Sequence, residues 1–519
     1  MLRTKNLGPE HQWNWQRTWS SVEVNRQSVS SVLGTLFTYN FTLPKVQINR
    51  GTVYVGGSSR LRRVVRDLLM PNSGRKELKV AVIGGSVSWG QFTSKRGETD
   101  WFSTVAKWMI GAFPRVNITA RNGCTPGVPT PYMIMCLELS VDPDVDLVFM
   151  EYTLNDGLDP NLYPNRVVAD TERLVRRILD LPGKPAVVFM HVPTHGMAAY
   201  EPRDPNNIGG TEPYKPFYMT AEDAEGALAH YYDVQYLSLR TATYRLAAHL
   251  RQPGFRWEDE FVDQHPGDHG HKIMADLAVH LIQRTALGLL FEPLDLEELV
   301  STVESLPPPM YPGNVPPDRT TCSVGDAFKP LVVLAEGFEY INEGTAEKPK
   351  PGYVTTTPGS RLRIKVDTDR SGIGSDPNGI VNVYIHHLRS YQHMGCASIE
   401  CVSGCLCIPI GVNAKSQETW SQVYLSRLSV TQSKECIVQV TVVNHTYSGE
   451  HKFKVTGVVV AERAGAGDAI DLMGGDNRAF MLRQHLGEAT QVTWTREGRK
   501  GGWDEPYKLR SKLPRRSGE

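Results

Sequence analysis

The chain has 519 residues, which is too long for one hydrophobic core, so two or three domains are expected. Lysine plus arginine and aspartate plus glutamate each number 56, and the zero formal charge argues against a nucleic-acid surface or an anionic membrane surface. No run of about 18 uninterrupted apolar residues is present, so we expect no membrane-spanning helix.

Residues 1–77 are interpreted as an N-terminal lead-in segment that packs on the next domain. Three tryptophans stand near the start, Gly51–Val55 has a strand-like composition, and apolar residues at helical spacing predict a helix that ends before Pro71. The first residues lack the apolar segment of a signal peptide.

Residues 78–292 alternate between two patterns. Short continuous apolar runs are typical of strands buried on both faces, and they occur at Lys79–Ile83, Val116–Ala120, Val145–Met150, Ala186–Met190 and Val234–Leu237. Helical patterns separate them, at Trp101–Phe113, Val167–Leu179, Ala221–His230 and Ile273–Leu290. This alternation predicts an α/β domain with a parallel sheet covered on both faces, and a long insertion at Pro193–Thr220 near the rim.

The residue composition and the apolar pattern change after Phe291. Residues 293–329 are rich in proline and predict a linker. Residues 330–463 alternate apolar and polar positions between turns, which predicts an antiparallel β-sandwich. The remainder, 464–519, is rich in glycine and then basic, and we expect a disordered tail.

Five cysteines cluster in the predicted sandwich, and they are Cys396, Cys401, Cys405, Cys407 and Cys436. Their spacing matches no zinc ribbon, so disulfides are favoured over a metal site. Disulfides indicate a secreted or lumenal protein. Sequons at Asn40, Asn117 and Asn444 would make it a glycoprotein if used, although chance alone produces two or three such triplets in a chain of this composition.

The first predicted strand ends in the sequence KVAVIGGSVSWG. Two glycines allow a sharp turn there, and they place Ser86 at the carboxyl edge of the sheet, where α/β folds hold their sites. A phosphate-binding loop would need a Gly-Lys-Ser/Thr sequence, which does not follow. Ser86 is therefore a candidate nucleophile.

Three further blocks follow in order: RNGCTPGVPT, LVFMEYTLNDG and FVDQHPGDHGHKIMADL. Together the four blocks make residues 78–292 similar to the SGNH/GDSL hydrolase superfamily. The resemblance implies a three-layer, flavodoxin-like fold and an ester hydrolase without metal or cofactor.

Carried over residue by residue, the resemblance makes Ser86 the nucleophile and His265 its general base. Gly127, five residues after Asn122, and Asn155 would supply oxyanion donors together with the Ser86 N–H. Ser86 would attack an ester carbonyl and water would release the acyl-enzyme.

The chain departs from the family at three positions. Gly85 replaces the aspartate of the GDS signature, and Thr153 replaces a glycine before Asn155. Val262 stands where the family has the aspartate that orients the histidine. We prefer Asp263 for that role, because residues two apart in an extended segment point to the same side.

Two assignments stay open. Glu260 or Asp259 could orient His265 instead, or the site could run as a Ser–His dyad. A literal Asp-x-x-His search finds Asp268 and His271, but the apolar pattern places them at a helix start, with Asp268 as the N-cap. His191 and His195 follow the fourth strand and are expected at the surface.

The substrate is expected to be an acylated, chiefly O-acetylated, carbohydrate or a small ester, with no nucleic-acid partner and an unknown oligomeric state. An O-acyltransferase using the same site is one alternative. A catalytically idle carbohydrate-binding protein is another, because a sandwich beside an esterase suggests sugar binding by analogy alone.

Overall fold

The computed structural model describes residues 34–70, 77–192, 215, 217–250, 255, 260–261, 265–312, 314, 321–345, 349–371, 379–416, 421–461 and 492–500. Within these ranges the chain builds an α/β domain followed by two antiparallel sheets. The predicted insertion at Pro193–Thr220 lies almost entirely outside the described residues.

The α/β domain is organised by an eight-stranded sheet of spatial order β1-β6-β5-β4-β2-β3-β18-β19. Its strands are β1 Thr52–Tyr54, β2 Glu77–Gly84, β3 Asn117–Asn122, β4 Leu147–Glu151, β5 Ala186–His191, β6 Gln235–Ser238, β18 Val492–Thr495 and β19 Gly498–Lys500. The strands from β2 to β6 pair in parallel, whereas β1 and β18 join the two edges of this group as antiparallel strands. All five predicted strands are present.

Helices cover both faces of this sheet. They are α1 Lys45–Gly51, α2 Ser59–Leu69, α3 Ser86–Trp89, α4 Trp101–Ala112, α5 Thr130–Cys136, α6 Thr153–Asp156, α7 Arg166–Leu179, α8 Ala221–Tyr232, α9 Leu239–Tyr244, α10 Asp268–Phe291 and α11 Leu296–Ser301, with short 3₁₀ segments at Leu137–Leu139 and Gly325–Leu331 and a π-helical segment at Arg245–Leu250. Helices α2, α4 and α10 contribute to the apolar core on one face, and α5, α7 and α8 to the core on the other. Helix α10 is long and apolar enough to cross a membrane by composition, but most of it is buried in this core.

Side-chain caps mark where two of the longer helices, α4 and α7, begin. The Asp100 carboxylate accepts the N–H of Ser103 at 2.9 Å before α4. The Asn165 side chain accepts the N–H of Val168 at 3.0 Å before α7. Each cap satisfies one of the backbone donors that a helix start leaves unpaired, so the helix boundaries follow from local sequence.

The second domain is an antiparallel β-sandwich, as predicted. One sheet has the order β15-β12-β17-β10-β9, with β7 also pairing β17, and the other has the order β14-β13-β16-β11-β8. The strands are β7 Thr321–Val324, β8 Val332–Glu336, β9 Glu339–Asn342, β10 Pro351–Thr355, β11 Arg361–Val366, β12 Val381–Arg389, β13 Cys396–Ser403, β14 Ile410–Asn413, β15 Gln422–Val430, β16 Cys436–Val442 and β17 Phe453–Val460. Burial alternates along β11, because successive side chains of a strand point to opposite faces.

The two domains are joined by more than the chain. A disulfide links Cys136 at the end of α5 to Cys322 in β7. The ring of Tyr132 stacks on that of His386, with centroids 6.5 Å apart. One apolar cluster runs from α5 and α7 into the sandwich core. This cross-link and shared core were not predicted from sequence.

Three predicted boundaries change. The lead-in segment contributes β1 to the sheet, through antiparallel pairing with β6. The predicted linker contains α11 and β7, so the sandwich begins at Thr321. The expected disordered tail is wrong for residues 492–500, which form a hairpin on β3. The composition of Gly51–Val55 indicated a strand, but which strand of the sheet it pairs with is decided by tertiary contacts.

Candidate active site

Strand β2 turns sharply into α3 at Ser86. Gly85 donates its N–H to the carbonyl oxygen of Glu151 at 3.2 Å, so the turn lies against the end of β4. A Cβ at Gly84 would lie 2.5 Å from that same oxygen, and a Cβ at Gly85 would lie 1.9 Å from Oδ1 of Asn155. A backbone oxygen therefore leaves no room for a side chain at Gly84, whereas an aspartate at position 85, usual in the GDS signature, would displace the Asn155 side chain.

His265 faces Ser86. Its Nε2 lies 2.7 Å from the Ser86 Oγ, and both side chains are largely buried. Two residues after His265, the Gly267 N–H donates to the Glu260 carbonyl oxygen at 2.8 Å. The Phe92 ring lies 5.4 Å from the imidazole, centroid to centroid. This arrangement brings the two residues together at a distance suited to proton transfer.

The competing histidine, His271, contacts the start of α4. It is fully buried, its Nδ1 accepts the N–H of Trp101 at 3.2 Å, and burial lowers its pKa to about 3. Asp268 is the first residue of α10 and not its N-cap, which is Gly267. The Asp268 carboxylate instead accepts hydrogen bonds from Ser94 and Thr99. These contacts fasten the start of α10 to the segment after the Ser86 turn.

The acid that orients His265 stays a prediction. Asp263, the preferred residue, and Asp259 both lie outside the described residues. Glu260 is described and buried, and its Oε1 lies 2.6 Å from Nδ1 of His269. This pair ties the start of the His265 loop to the first turn of α10.

The loop that carries Gly127 is anchored to the Ser86 turn. Asn122, at the end of β3, donates its amide to the Ser88 carbonyl oxygen at 2.7 Å. Thr125 donates its N–H to the Gly84 carbonyl oxygen at 2.9 Å, which extends the contact beyond the paired strands. Gly127 has a φ of 76°, in the left-handed region that favours glycine. These contacts hold the second sequence block, at the end of β3, against the Ser86 turn at the same edge of the sheet.

Asn155 lies in the short helix α6 at the end of β4, with its side chain against Gly85. The neighbouring Asp156 is buried, and its carboxylate accepts both the N–H of Thr130 at 2.7 Å and the Thr130 hydroxyl. Burial raises the pKa of Asp156 to about 7. Because Thr130 begins α5, this carboxylate ties the Asn155 helix to the end of the Gly127 loop.

Sequence reasoning missed a buried group behind Asn155, formed by Thr153, His191, Glu225 and Thr171. The Thr153 hydroxyl lies 2.6 Å from Nδ1 of His191, and Glu225 Oε2 lies 3.4 Å from the same nitrogen. The Thr171 hydroxyl donates to Glu225 at 2.9 Å. Burial lowers the pKa of His191 to about 3, so the ring is neutral. The expectation that His191 lies at the surface is wrong, and Thr153 in place of glycine was the available signal.

Glu151 is the second buried carboxyl beside the Ser86 turn. Its Oε2 accepts the N–H of Ser88 at 3.1 Å. Burial raises its pKa to about 8. A neutral acid here supports the turn without placing a negative charge next to the nucleophile candidate.

The clustered cysteines pair as disulfides, Cys401 with Cys407 and Cys405 with Cys436, while Cys396 is a free thiol. Three of these sulfur atoms lie within 4.8 Å of one another. The pairing agrees with the disulfide interpretation of the cluster.

By fold, the chain is therefore a two-domain protein: an α/β domain with a Ser–His pair at the carboxyl edge of its parallel strands, and a β-sandwich linked to it by a disulfide. No known family profile and no curated protein sequence matches the chain.

Solved structures do resemble it. A two-domain esterase (CEX) active on acetylated mannans is 18% identical and matches with a TM-score of 0.58 over 80% of this chain and 99% of that one. Its complex with mannopentaose matches with a TM-score of 0.55 over 78% and 95%, also at 18% identity. The carbohydrate acetylesterase Est24 from Sinorhizobium meliloti, 16% identical, covers 41% of this chain and 99% of its own, with a TM-score of only 0.27. At these identities the first two comparisons establish the fold, across both domains.

Proposed function

We propose that this protein is a serine ester hydrolase of the SGNH type that removes acyl groups, chiefly acetyl, from a carbohydrate. The observation that carries the proposal is the 2.7 Å contact between Ser86 Oγ and His265 Nε2. It occurs at the carboxyl edge of the parallel strands, and the side chain of Asn155 lies against the preceding residue, Gly85.

In this mechanism His265 Nε2 takes the Ser86 proton while Oγ attacks the ester carbonyl carbon. The carbonyl oxygen becomes an oxyanion, stabilised by the N–H groups of Ser86 and Gly127 and by the Asn155 amide. As the tetrahedral intermediate collapses, the carbon–alkoxy bond breaks and His265 gives its proton to the departing alcohol. Water then attacks the acyl-enzyme by the same route, which releases the acid and restores Ser86.

The strand order supports the family assignment. Taken in chain order, the five parallel strands are arranged 2-1-3-4-5, the order of flavodoxin-like folds. Such folds bind ligands where the order reverses, between the first and third strands. Here those strands are β2 and β4, whose ends carry Ser86 and Asn155.

Three observations support the carbohydrate part of the proposal. A similarly folded two-domain esterase acts on acetylated mannans, and this chain matches 99% of its length. The balanced charge suits a neutral polymer. The three disulfides support a secreted or lumenal location, where such polymers occur.

A fluorophosphonate probe tests the nucleophile directly. We expect it to label the wild type at Ser86, and we expect Ser86→Ala to lose both labelling and p-nitrophenyl acetate hydrolysis. Ser426→Ala, which alters the serine of a second Ser–His contact in the sandwich, is the matched control and should change neither. Labelling that persists on the Ser86 variant would contradict the proposal. Acetyl transfer to an added glycan instead of to water would make the protein an O-acyltransferase.

A further inference from the structure

An aromatic pair, the exposed Tyr163 and the half-buried Tyr311, lies at the loop that follows Asn155. The rings of Tyr163 and Tyr311 stack with centroids 5.2 Å apart and planes 24° apart. Tyr163 is 67% exposed, and Leu162 beside it is 93% exposed. Exposed apolar groups gathered on one loop mark an interaction surface more often than scattered ones do.

The pair is located at the same sheet edge as Ser86. The loop Gly157–Asn165 begins directly after helix α6, which carries Asn155. The residue after the loop, Arg166, contacts the end of α6, because its Nη2 donates to the carbonyl oxygen of Asp156 at 3.2 Å. Tyr311 reaches this edge from the segment before the sandwich, and its hydroxyl accepts the N–H of Asn165 at 3.1 Å.

The surroundings hold both rings in place. Asp159 accepts the N–H groups of Asn161 and Arg166 at 2.9 and 2.7 Å, which fixes the loop internally. The buried carboxylate of Glu172, on α7, accepts the N–H of Tyr311 at 3.2 Å. A preorganised ring loses little conformational entropy when a ligand stacks on it.

We propose that the Tyr163–Tyr311 pair is a sugar-binding platform that holds a residue of the carbohydrate chain next to the acylated one. A tyrosine ring offers a flat apolar face to the C–H groups of a pyranose, while the sugar hydroxyls stay in water. This inference rests on the proposed ester hydrolase function and specifies how that site would recognise a glycan.

The test compares a small ester with acetylated polymers, using p-nitrophenyl acetate, acetylated mannan and acetylated xylan. For Tyr163→Ala we expect KM on the hydrolysed polymer to rise about fivefold to tenfold, while kcat and p-nitrophenyl acetate hydrolysis stay unchanged. Tyr163→Phe keeps the ring and should behave as the wild type.

Phe291→Ala is the matched control. Phe291 is 79% exposed, but it ends the 24-residue helix α10, so it lies about 35 Å from the start of that helix near the site. Its removal should leave polymer hydrolysis unchanged, and melting temperatures would verify that every variant folds.

The outcomes separate the two proposals. An unchanged polymer KM for Tyr163→Ala, or an equal loss on p-nitrophenyl acetate, would overturn the platform alone. A wild type that cleaves p-nitrophenyl acetate but neither polymer would overturn the platform and the carbohydrate substrate, and would leave the ester hydrolase standing. Absence of Ser86-dependent cleavage of any ester would overturn the proposed function itself.

Discussion

Each domain contains a serine and a histidine in hydrogen-bond contact. In the α/β domain Ser86 Oγ lies 2.7 Å from His265 Nε2, and in the sandwich Ser426 Oγ lies 2.9 Å from His387 Nε2. The two distances are nearly equal. What differs is the backbone that carries each pair.

The sandwich pair bridges neighbouring strands, since Ser426 is opposite Ile385 in the register of β12 and β15. Its histidine is buried, and burial lowers the pKa of His387 to about 4. The other pair joins a strand-to-helix turn to a loop, beside a side-chain amide. A Ser–His contact therefore indicates catalysis only where the backbone also presents oxyanion donors and room for a substrate.

The largest expected effect tests this distinction through the histidines. His265→Ala should abolish ester hydrolysis with the fold intact, because no other described group contacts the Ser86 hydroxyl at this distance. His387→Ala and His271→Ala should lower the melting temperature while kcat persists, since both rings are structural. Loss of kcat in His271→Ala alone would move the general base to that residue.

The second prediction concerns the side-chain amide of Asn155. Asn155→Ala should lower kcat by about two to three decades with much less change in KM, because its donor acts on the transition state. Asn382→Ala removes a buried amide of the sandwich, where its Oδ1 accepts the Ser429 hydroxyl at 2.9 Å, and should leave kcat unchanged. A loss confined to KM would make Asn155 a substrate-binding residue.

The third prediction compares disulfides between and within the domains. Cys136 and Cys322 are 186 residues apart, whereas Cys401 and Cys407 are 6 apart. By loop-closure entropy, replacing the first pair with serine should lower the free energy of unfolding by about 5 kcal/mol, and the second by about 2 kcal/mol. Chemical denaturation measures both. If both replacements lower the free energy of unfolding equally, the shared apolar core, and not the Cys136–Cys322 disulfide, holds the domains together.

The fourth prediction concerns the pH dependence of stability. Glu151 has a pKa of about 8 in the fold and an ordinary value of 4.5 when exposed. Between these values the unfolded chain releases a proton that the folded chain keeps, so the free energy of unfolding falls as pH rises from about 4.5 to about 8. Glu151→Gln should remove this contribution, and Glu336→Gln, on the sandwich surface, should not. An unchanged slope in the Glu151 variant would show that this carboxyl is ionised in the fold.

Much of the fold could be predicted because its signals are local. Each parallel strand of the α/β domain is a continuous apolar run, as expected for a strand buried on both faces. The strands of the sandwich could be predicted in the same way, from alternating apolar and polar positions. The composition of Gly51–Val55 indicated the edge strand β1, but its pairing with β6 and the edge strand β18 could not be predicted, because they depend on contacts with distant segments.

The four sequence blocks that resemble the SGNH/GDSL superfamily indicated which residues to examine, namely Ser86, Gly127, Asn155 and His265. Which of the two candidate histidines reaches Ser86 depends on tertiary packing: His265 Nε2 lies 2.7 Å from the Ser86 Oγ, whereas His271 Nδ1 accepts the N–H of Trp101. Tertiary packing also forms the buried group that includes Thr153, which lies in the same short helix as Asn155. Thr153, His191 and Glu225 come from three distant segments, and their contacts depend on how strands and helices pack and not on any spacing along the chain.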